Sequence, residues 1–176
     1  MDCTETNMNI VAGLGNPGQQ YEKTRHNVGF MALDVLAEEF GLKWANSKKF
    51  KAEVAKNSDF ILLKPQTFMN DSCQATAAAL AYYKLRPENL TVIHDDMDIP
   101  LGKYKISKDS RSAGHKGVQS IIDHLKTKNF QRVRIGIKTP GLEKIPADKF
   151  VLQKFGAEEL KTIKKLIAQI IKEELA

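Results

Sequence analysis

A short apolar run over residues 9–14 stops in a glycine-bearing loop, and from Asn27 onward Val28, Phe30, Leu33, Leu36, Ala37 and Phe40 recur at helical spacing until Gly41. A buried strand followed by an amphipathic helix is the repeating unit of α/β folds. The alternation then continues. Residues 51–56 and 59–64 flank Asn57-Ser58, which reads as a hairpin turn, so part of the sheet is antiparallel. Residues 71–83 are Ala-rich and helical, 90–94 a strand, 103–107 another, and 117–126 a helix. Residues 132–137 form a strand in which Arg132 and Arg134 alternate with Val133 and Ile135. Beyond a loop marked by Thr139-Pro140-Gly141 and Pro146, the residues Leu160, Ile163, Ile167, Ile170 and Ile171 give a last helix its apolar stripe. With 176 residues, 42% of them hydrophobic, the chain suits one core. The expected fold is α/β: a single domain with a mixed, twisted central sheet and helices on both faces.

The opening loop, Gly13-Leu14-Gly15-Asn16-Pro17-Gly18, spells the dinucleotide fingerprint G-x-G-x-x-G. In that fingerprint the third glycine opens the helix that receives the pyrophosphate, and an acid about 20 residues on meets the ribose. Here the helical pattern starts only near Asn27, and Glu38 and Glu39 lie inside that helix. A nucleotide-dependent oxidoreductase therefore rests on the glycines alone. Downstream of Gly18 come Tyr21 and Thr24-Arg25-His26-Asn27, groups suited to proton transfer and hydrogen bonding.

Charge is unevenly spread. The net charge is +6, yet residues 101–138 hold ten basic side chains against Asp109 and Asp123, which leaves that segment at +8 and the rest of the chain at −2. Scattered lysines often form only a solvated face, but a segment carrying more than the whole net charge is the footprint expected of a polyanion binder. No apolar run approaches the roughly 18 residues of a membrane span, and the N-terminus lacks the pattern of a signal peptide, so a cytoplasmic protein is expected. Cys3 and Cys73 form neither a metal spacing nor a disulfide framework, and Cys73 sits in an Ala-rich helical stretch where cysteine is usually inert.

Four segments fall at strand ends or helix starts, where open α/β sheets place their ligand crevice. They are residues 13–27, 65–70, 94–98 and 112–117. Asn70 reads equally as a helix N-cap. His94, Asp95, Asp96 and Asp98 could hold Mg²⁺ or Mn²⁺, although strand alternation lets only part of that set converge. Ser112 reads as a cap, while the amides beside Arg111 and Lys116 suit a phosphate. His26 with a strand-end aspartate makes an acid/base pair.

In order and near-characteristic spacing, GLGNPG with TRHN, KPQTFMN, HDDMDIPLG, SAGHKG and RVRIGI resemble the bacterial-type peptidyl-tRNA hydrolases over residues 8 to about 156. The resemblance implies a monomeric enzyme that cleaves the ester between a peptide and the terminal ribose of tRNA, without metal or other cofactor. Its partner is then peptidyl-tRNA, through the acceptor stem and the nascent peptide, and no membrane is involved. It also implies roles. His26 resembles the general base that activates water and Asp95 the partner that orients it. Asn70 resembles a contact to substrate or water, Asn16 the residue that separates peptidyl-tRNA from free aminoacyl-tRNA, and Tyr21 and Phe68 aromatic supports for the tRNA terminus. Lys105, Lys108 and Arg134 resemble a clamp on the tRNA phosphate.

Lys116 departs from the family, most of whose members carry Asn there. A lysine accepts no hydrogen bond but attracts phosphate. Family chains begin close to the first strand, which implies a disordered N-terminal extension over residues 1–7 ahead of one catalytic domain over 8–176. The loop over residues 139–148 and the last helix, often longer in the family, are expected to border the cleft. The alternative is a non-catalytic RNA-binding relative, of the kind that serves as a splicing factor; survival of His26, Asp95, Asn16 and Asn70 favours the enzyme.

Overall fold

The computed structural model describes residues 8–175, so the expected extension at residues 1–7 lies outside the described residues. Its first strand, β1 (Asn9–Gly13), lies in the interior of a seven-stranded sheet. The others are β2 (Ala45–Ser47), β3 (Ala52–Lys56), β4 (Phe60–Pro65), β5 (Leu90–Pro100), β6 (Tyr104–Lys108) and β7 (Gln131–Lys138). Their order is β2-β3-β4-β1-β5-β7-β6. β4, β1, β5 and β7 are parallel, whereas β2, β3 and β6 pair antiparallel at the two edges, so the sheet is mixed. In the expected hairpin, Asn57 Oδ1 accepts from the amides of Asp59 and Phe60, both at 2.9 Å.

Among the described residues, five α-helices accompany the sheet: α1 (Val28–Glu39), α2 (Cys73–Tyr83), α3 (Lys116–Leu125), α4 (Ala147–Phe150) and α5 (Ala157–Ile170). Successive strand residues go to opposite faces. Val11, Leu62 and Ile93 pack with Leu33 and Leu36 of α1 and Ile163 and Ile167 of α5. Ile10, Ile61, Leu63 and Val92 pack with Ala75 and Ala79 of α2 and Val118 and Ile121 of α3. Both faces are thus apolar, as a sheet buried between helices requires.

Two glycines fix how α1 meets the sheet. A Cβ on Gly13 would lie 2.3 Å from the carbonyl oxygen of Gly29, and one on Gly29 would lie 2.4 Å from that of Ile93. Backbone therefore touches backbone, and the first turn of α1 is seated against β1 and β5. The helix opens at Val28 and not at Gly18, so the opening glycines do not form a pyrophosphate turn.

Three expectations change. β5 continues to Pro100 instead of stopping at His94, which makes Asp95 and Asp96 strand residues. α2 starts at Cys73, after a 3-10 turn over Met69–Asp71 that contains Asn70, so Asn70 is not its cap. Arg132, counted with the basic segment, is 1% exposed and withdrawn from any polyanion.

Candidate active site

The buried carboxylate of Asp95 organises the site. His26 Nδ1 lies 2.8 and 3.0 Å from its two oxygens, and His115 Nε2 lies 2.8 Å from Oδ1. His26 comes from the turn before α1 and His115 from the N-cap of α3, so three separate elements meet at one side chain. Burial opposes the ionisation of Asp95, yet the charge that His26 and His115 carry once protonated, together with their hydrogen bonds, outweighs it and holds the carboxyl well below the usual carboxylate range. An ionised carboxylate only accepts, so both imidazoles present an N–H to it. His115 Nδ1 in turn accepts the amide of Val118 at 3.3 Å, which assigns it the neutral Nε2–H form. His26 keeps Nε2, across the ring from Asp95, as a lone pair for the cleft.

A second knot lies beside the first. Asn27 Oδ1 accepts the amide of Asn16, and Asn27 Nδ2 donates to the carbonyl of Asn16, each at 2.9 Å. Asn16 Oδ1 accepts the amide of Met69 at 2.8 Å. With its oxygen taken by a backbone N–H, the orientation of the Asn16 amide is assigned, and its NH₂ is the group available to a ligand.

A cleft of about 620 Å³ opens beyond the C-terminal ends of β1 and β4 and along the middle of β5. His26, Asp95, Asn16, Phe68, Asn70 and Lys116 all border it. Phe68 is 58% exposed on the lip, and Asn70 and Lys116 are also exposed. The opposite wall comes from α4 and the residues after it, Ala147, Asp148, Val151 and Leu152. That wall is fastened to the histidine loop: the amides of Arg25 and His26 donate to the carbonyls of Gln153 (3.0 Å) and Val151 (2.8 Å). The Arg25 guanidinium lies 4.6 Å above the Phe150 ring and reaches both oxygens of Glu159 at 3.1 Å.

Some expected residues stand elsewhere. Tyr21 is half-buried in a 3-10 turn over Gln19–Tyr21 and does not line the cleft. α5 does not border this cleft; Leu160, Lys164 and Ile167 line a separate groove beyond the Asn16–Gly18 loop. Ser112 does not cap α3, since His115 does, and its hydroxyl bonds Gln119 Oε1 at 2.7 Å. Lys105 and Arg134 are directly paired across β6 and β7, so their side chains share a face outside the cleft. Arg134 Nε is anchored on Asp96 Oδ2 at 2.8 Å and its Nη1 on Ser107 Oγ at 3.1 Å. Lys108 is exposed but, by strand alternation, points away from that pair.

The acidic run does not assemble as a metal site. Asp96 Oδ1 accepts the amide of Asp98, its other oxygen holds Arg134, and His94 is buried apart from the cleft. Among the described residues, the set whose ligand atoms lie within 4.8 Å of one another is His26, Asp95 and His115. Here those atoms are joined by hydrogen bonds. Sequence pattern does not single out His115; its signal is a histidine between glycines at a helix start, where a side-chain acceptor is needed.

The peptidyl-tRNA hydrolase family profile matches residues 10–174. The chain is 48% identical over 160 residues to the peptidyl-tRNA hydrolase of Thermoanaerobacter sp. (strain X514), covering 89% of this chain and 85% of that one. It is 44% identical over 167 residues to that of Aquifex aeolicus, covering 93% and 86%. The crystal structure of peptidyl-tRNA hydrolase from Acinetobacter baumannii superposes with a TM-score of 0.88 at 31% identity, over 97% of this chain and 88% of that one.

Proposed function

The chain belongs to the peptidyl-tRNA hydrolase family and hydrolyses peptidyl-tRNA, and we propose that His26 is the base of this reaction, with Asp95 and His115 holding it in place. The observation that carries the assignment is the three-way contact at Asp95, which leaves His26 Nε2 as the free proton acceptor beside the cleft. A water gives its proton to Nε2 as its oxygen attacks the ester carbonyl. Asp95 stabilises the imidazolium that results, as the carboxylate of a hydrolase triad does. When the tetrahedral intermediate collapses, the bond between the carbonyl carbon and the ribose oxygen breaks and the imidazolium returns the proton to that oxygen. Peptide acid and free tRNA leave.

General-base catalysis supplies about 10² to 10⁴ in rate, so the developing oxyanion needs its own donor. The Asn16 NH₂ is a donor in the cleft whose carbonyl is already engaged. It suits a carbonyl oxygen of the peptide and is mismatched by the donor-only ammonium of a free aminoacyl-tRNA. Asn70 and Lys116 then contact the substrate from the exposed lip of the same cleft, Lys116 toward phosphate, and Phe68 offers a face to the terminal base or ribose. Lys105 and Arg134 clamp a tRNA phosphate outside the cleft, with Lys108 as a longer-range attraction; such contacts read shape and charge, not sequence. Tyr21 supports the terminus from beside the cleft.

The enzyme acts as a cytoplasmic monomer in this reading, and among the described residues no helix is long and apolar enough to cross a membrane. The idle RNA-binding alternative is not favoured, since the relatives are hydrolases and the His26–Asp95 pair is assembled. Release of an N-blocked peptide from peptidyl-tRNA, with His26→Ala as control, is the direct test. An inactive wild-type protein that still binds tRNA would restore the RNA-binding reading.

A further inference from the structure

Behind the Asp95–His115 contact lies a second pair that takes no part in the proton transfer. Arg132, on β7, is 1% exposed, and His94, on β5, is equally buried. Arg132 Nη1 is 3.3 Å from His94 Nε2. Its Nη2 donates to the carbonyl of Arg111 at 2.7 Å and to Ser110 Oγ. A guanidinium only donates, so His94 Nε2 carries the lone pair and Nδ1 the proton, which it gives to the backbone carbonyl of Asp95 at 2.7 Å. The His94 ring meets that of His115 at 4.7 Å between centroids and 64° between planes. One arm of Arg132 thus holds the ring that His115 leans on, and the other holds the chain that delivers His115 and Lys116.

We propose that Arg132 and His94 are positioning residues of the hydrolysis: the guanidinium fork sets the His94 ring and the Ser110–Arg111 backbone together, and so fixes where His115 meets Asp95 and how Asp95 presents His26. This rests on the reading of His26 as the base. A volume-filling role does not account for the pair. A buried cation whose acceptors among the described residues are an imidazole, a hydroxyl and a carbonyl is costly, and an apolar side chain would fill the space more stably. Breaches of this kind are expected where function needs them. The cation has a second effect: burial, His115 and Arg132 together push His94 well below the ordinary histidine range, against the opposing charge of Asp95 on the same strand. Asp96 and Arg134 are the further charges facing Arg132.

Two variants separate geometry from charge. Arg132→Lys keeps the cation but cannot span both partners, and Arg132→Met removes both fork and charge while filling volume. In single-turnover hydrolysis at saturating peptidyl-tRNA, both are expected to lose about 10- to 100-fold in rate, the scale of a misplacement near 1 Å, with tRNA affinity unchanged. In Arg132→Met alone His94 loses one of the charges that, after burial and His115, oppose its protonation, so its imidazole ¹⁵N shifts are expected to respond to acid at a higher pH than in the wild type. A folded Arg132→Lys with the wild-type rate overturns the proposal. Imidazole ¹⁵N shifts of the wild-type protein test it without any substitution: His94 is expected as the neutral Nδ1–H form throughout the active pH range, and an Nε2–H form or a titration in that range overturns it. His26→Ala run alongside keeps the two readings apart. If that variant stays active, the base assignment fails; if it is dead while Arg132→Lys is unimpaired, the positioning role fails.

Discussion

The proposed function gives Asn16 two jobs, one for each end of its amide, and substitution can separate them. Its Oδ1 accepts the Met69 amide at 2.8 Å in a buried setting, while its NH₂ is left for the ligand. Asn16→Ala removes both and strands a buried N–H, a loss of about 1–3 kcal/mol. For a chain of this size each kcal/mol moves the unfolding midpoint by about 2–4 °C, so Tm is expected to fall by about 2–12 °C. Asn16→Asp keeps an acceptor for Met69 and removes only the donor. Its Tm is expected to fall less than that of the alanine variant, but loss of an oxyanion-type donor costs about 10² to 10³ in the chemical step. Single-turnover release of N-blocked peptide reads the second effect, and thermal unfolding the first. Wild-type turnover in Asn16→Asp would refute the donor role, and an unchanged Tm in Asn16→Ala would refute the structural one.

His26→Ala should lower the single-turnover rate by about 10² to 10⁴ while leaving tRNA binding intact; a loss confined to KM would place His26 in binding instead. Lys105→Ala should reduce the slope of log affinity against log salt by about 0.9, one phosphate contact, without slowing saturated turnover; an unchanged slope removes Lys105 from the clamp. The buried His94 sets a pH dependence of stability. Its folded form resists a proton that the unfolded chain takes below about pH 6.5, so stability is level above that pH and falls below it by up to about 1.4 kcal/mol per unit. Asp95, held below the ordinary range in the fold, adds its own loss only below about pH 4. Denaturant unfolding at pH 7 and 5.5 should show the His94 slope, and His94→Gln should flatten it; the same slope in both proteins would refute the assignment.

Local pattern made most of the sheet and its helices readable, because Val11, Leu62 and Ile93 go one way and Ile10, Leu63 and Val92 the other. It failed where a partner distant in sequence decides. Ala45–Ser47 has no strand pattern and exists as β2 because β3 lies beside it. Asp95 and Asp96 look like the end of a strand, yet β5 continues through them because His26, His115 and Arg134 compensate their charge. Arg132 counted as one more positive charge, since composition cannot reveal that its acceptors are folded over it. The motifs did deliver His26, Asp95, Asn16, Phe68, Asn70 and Lys116 to one cleft. Tyr21 shares the loop but not the wall: it is half-buried in the 3-10 turn at Gln19–Tyr21.

In the proposed mechanism, the hydrogen-bond pattern around Asp95 accounts for a single base among three neighbouring imidazoles. His94 donates to the Asp95 carbonyl and receives from Arg132. His115 donates to Asp95 Oδ1 and receives from the Val118 amide. Each ring has a partner at both nitrogens, so neither offers a free acceptor to the cleft. His26 is satisfied at Nδ1, and its Nε2 is left for the cleft. A proton arriving from water therefore finds one favourable acceptor, next to a carboxylate that stays ionised to pair with it. His115→Ala tests this division of labour: it leaves the Asp95 carboxylate to His26 with one donor fewer, so the loss should fall on the rate of the chemical step and not on tRNA affinity, and a pure affinity loss would show that His115 serves the substrate directly.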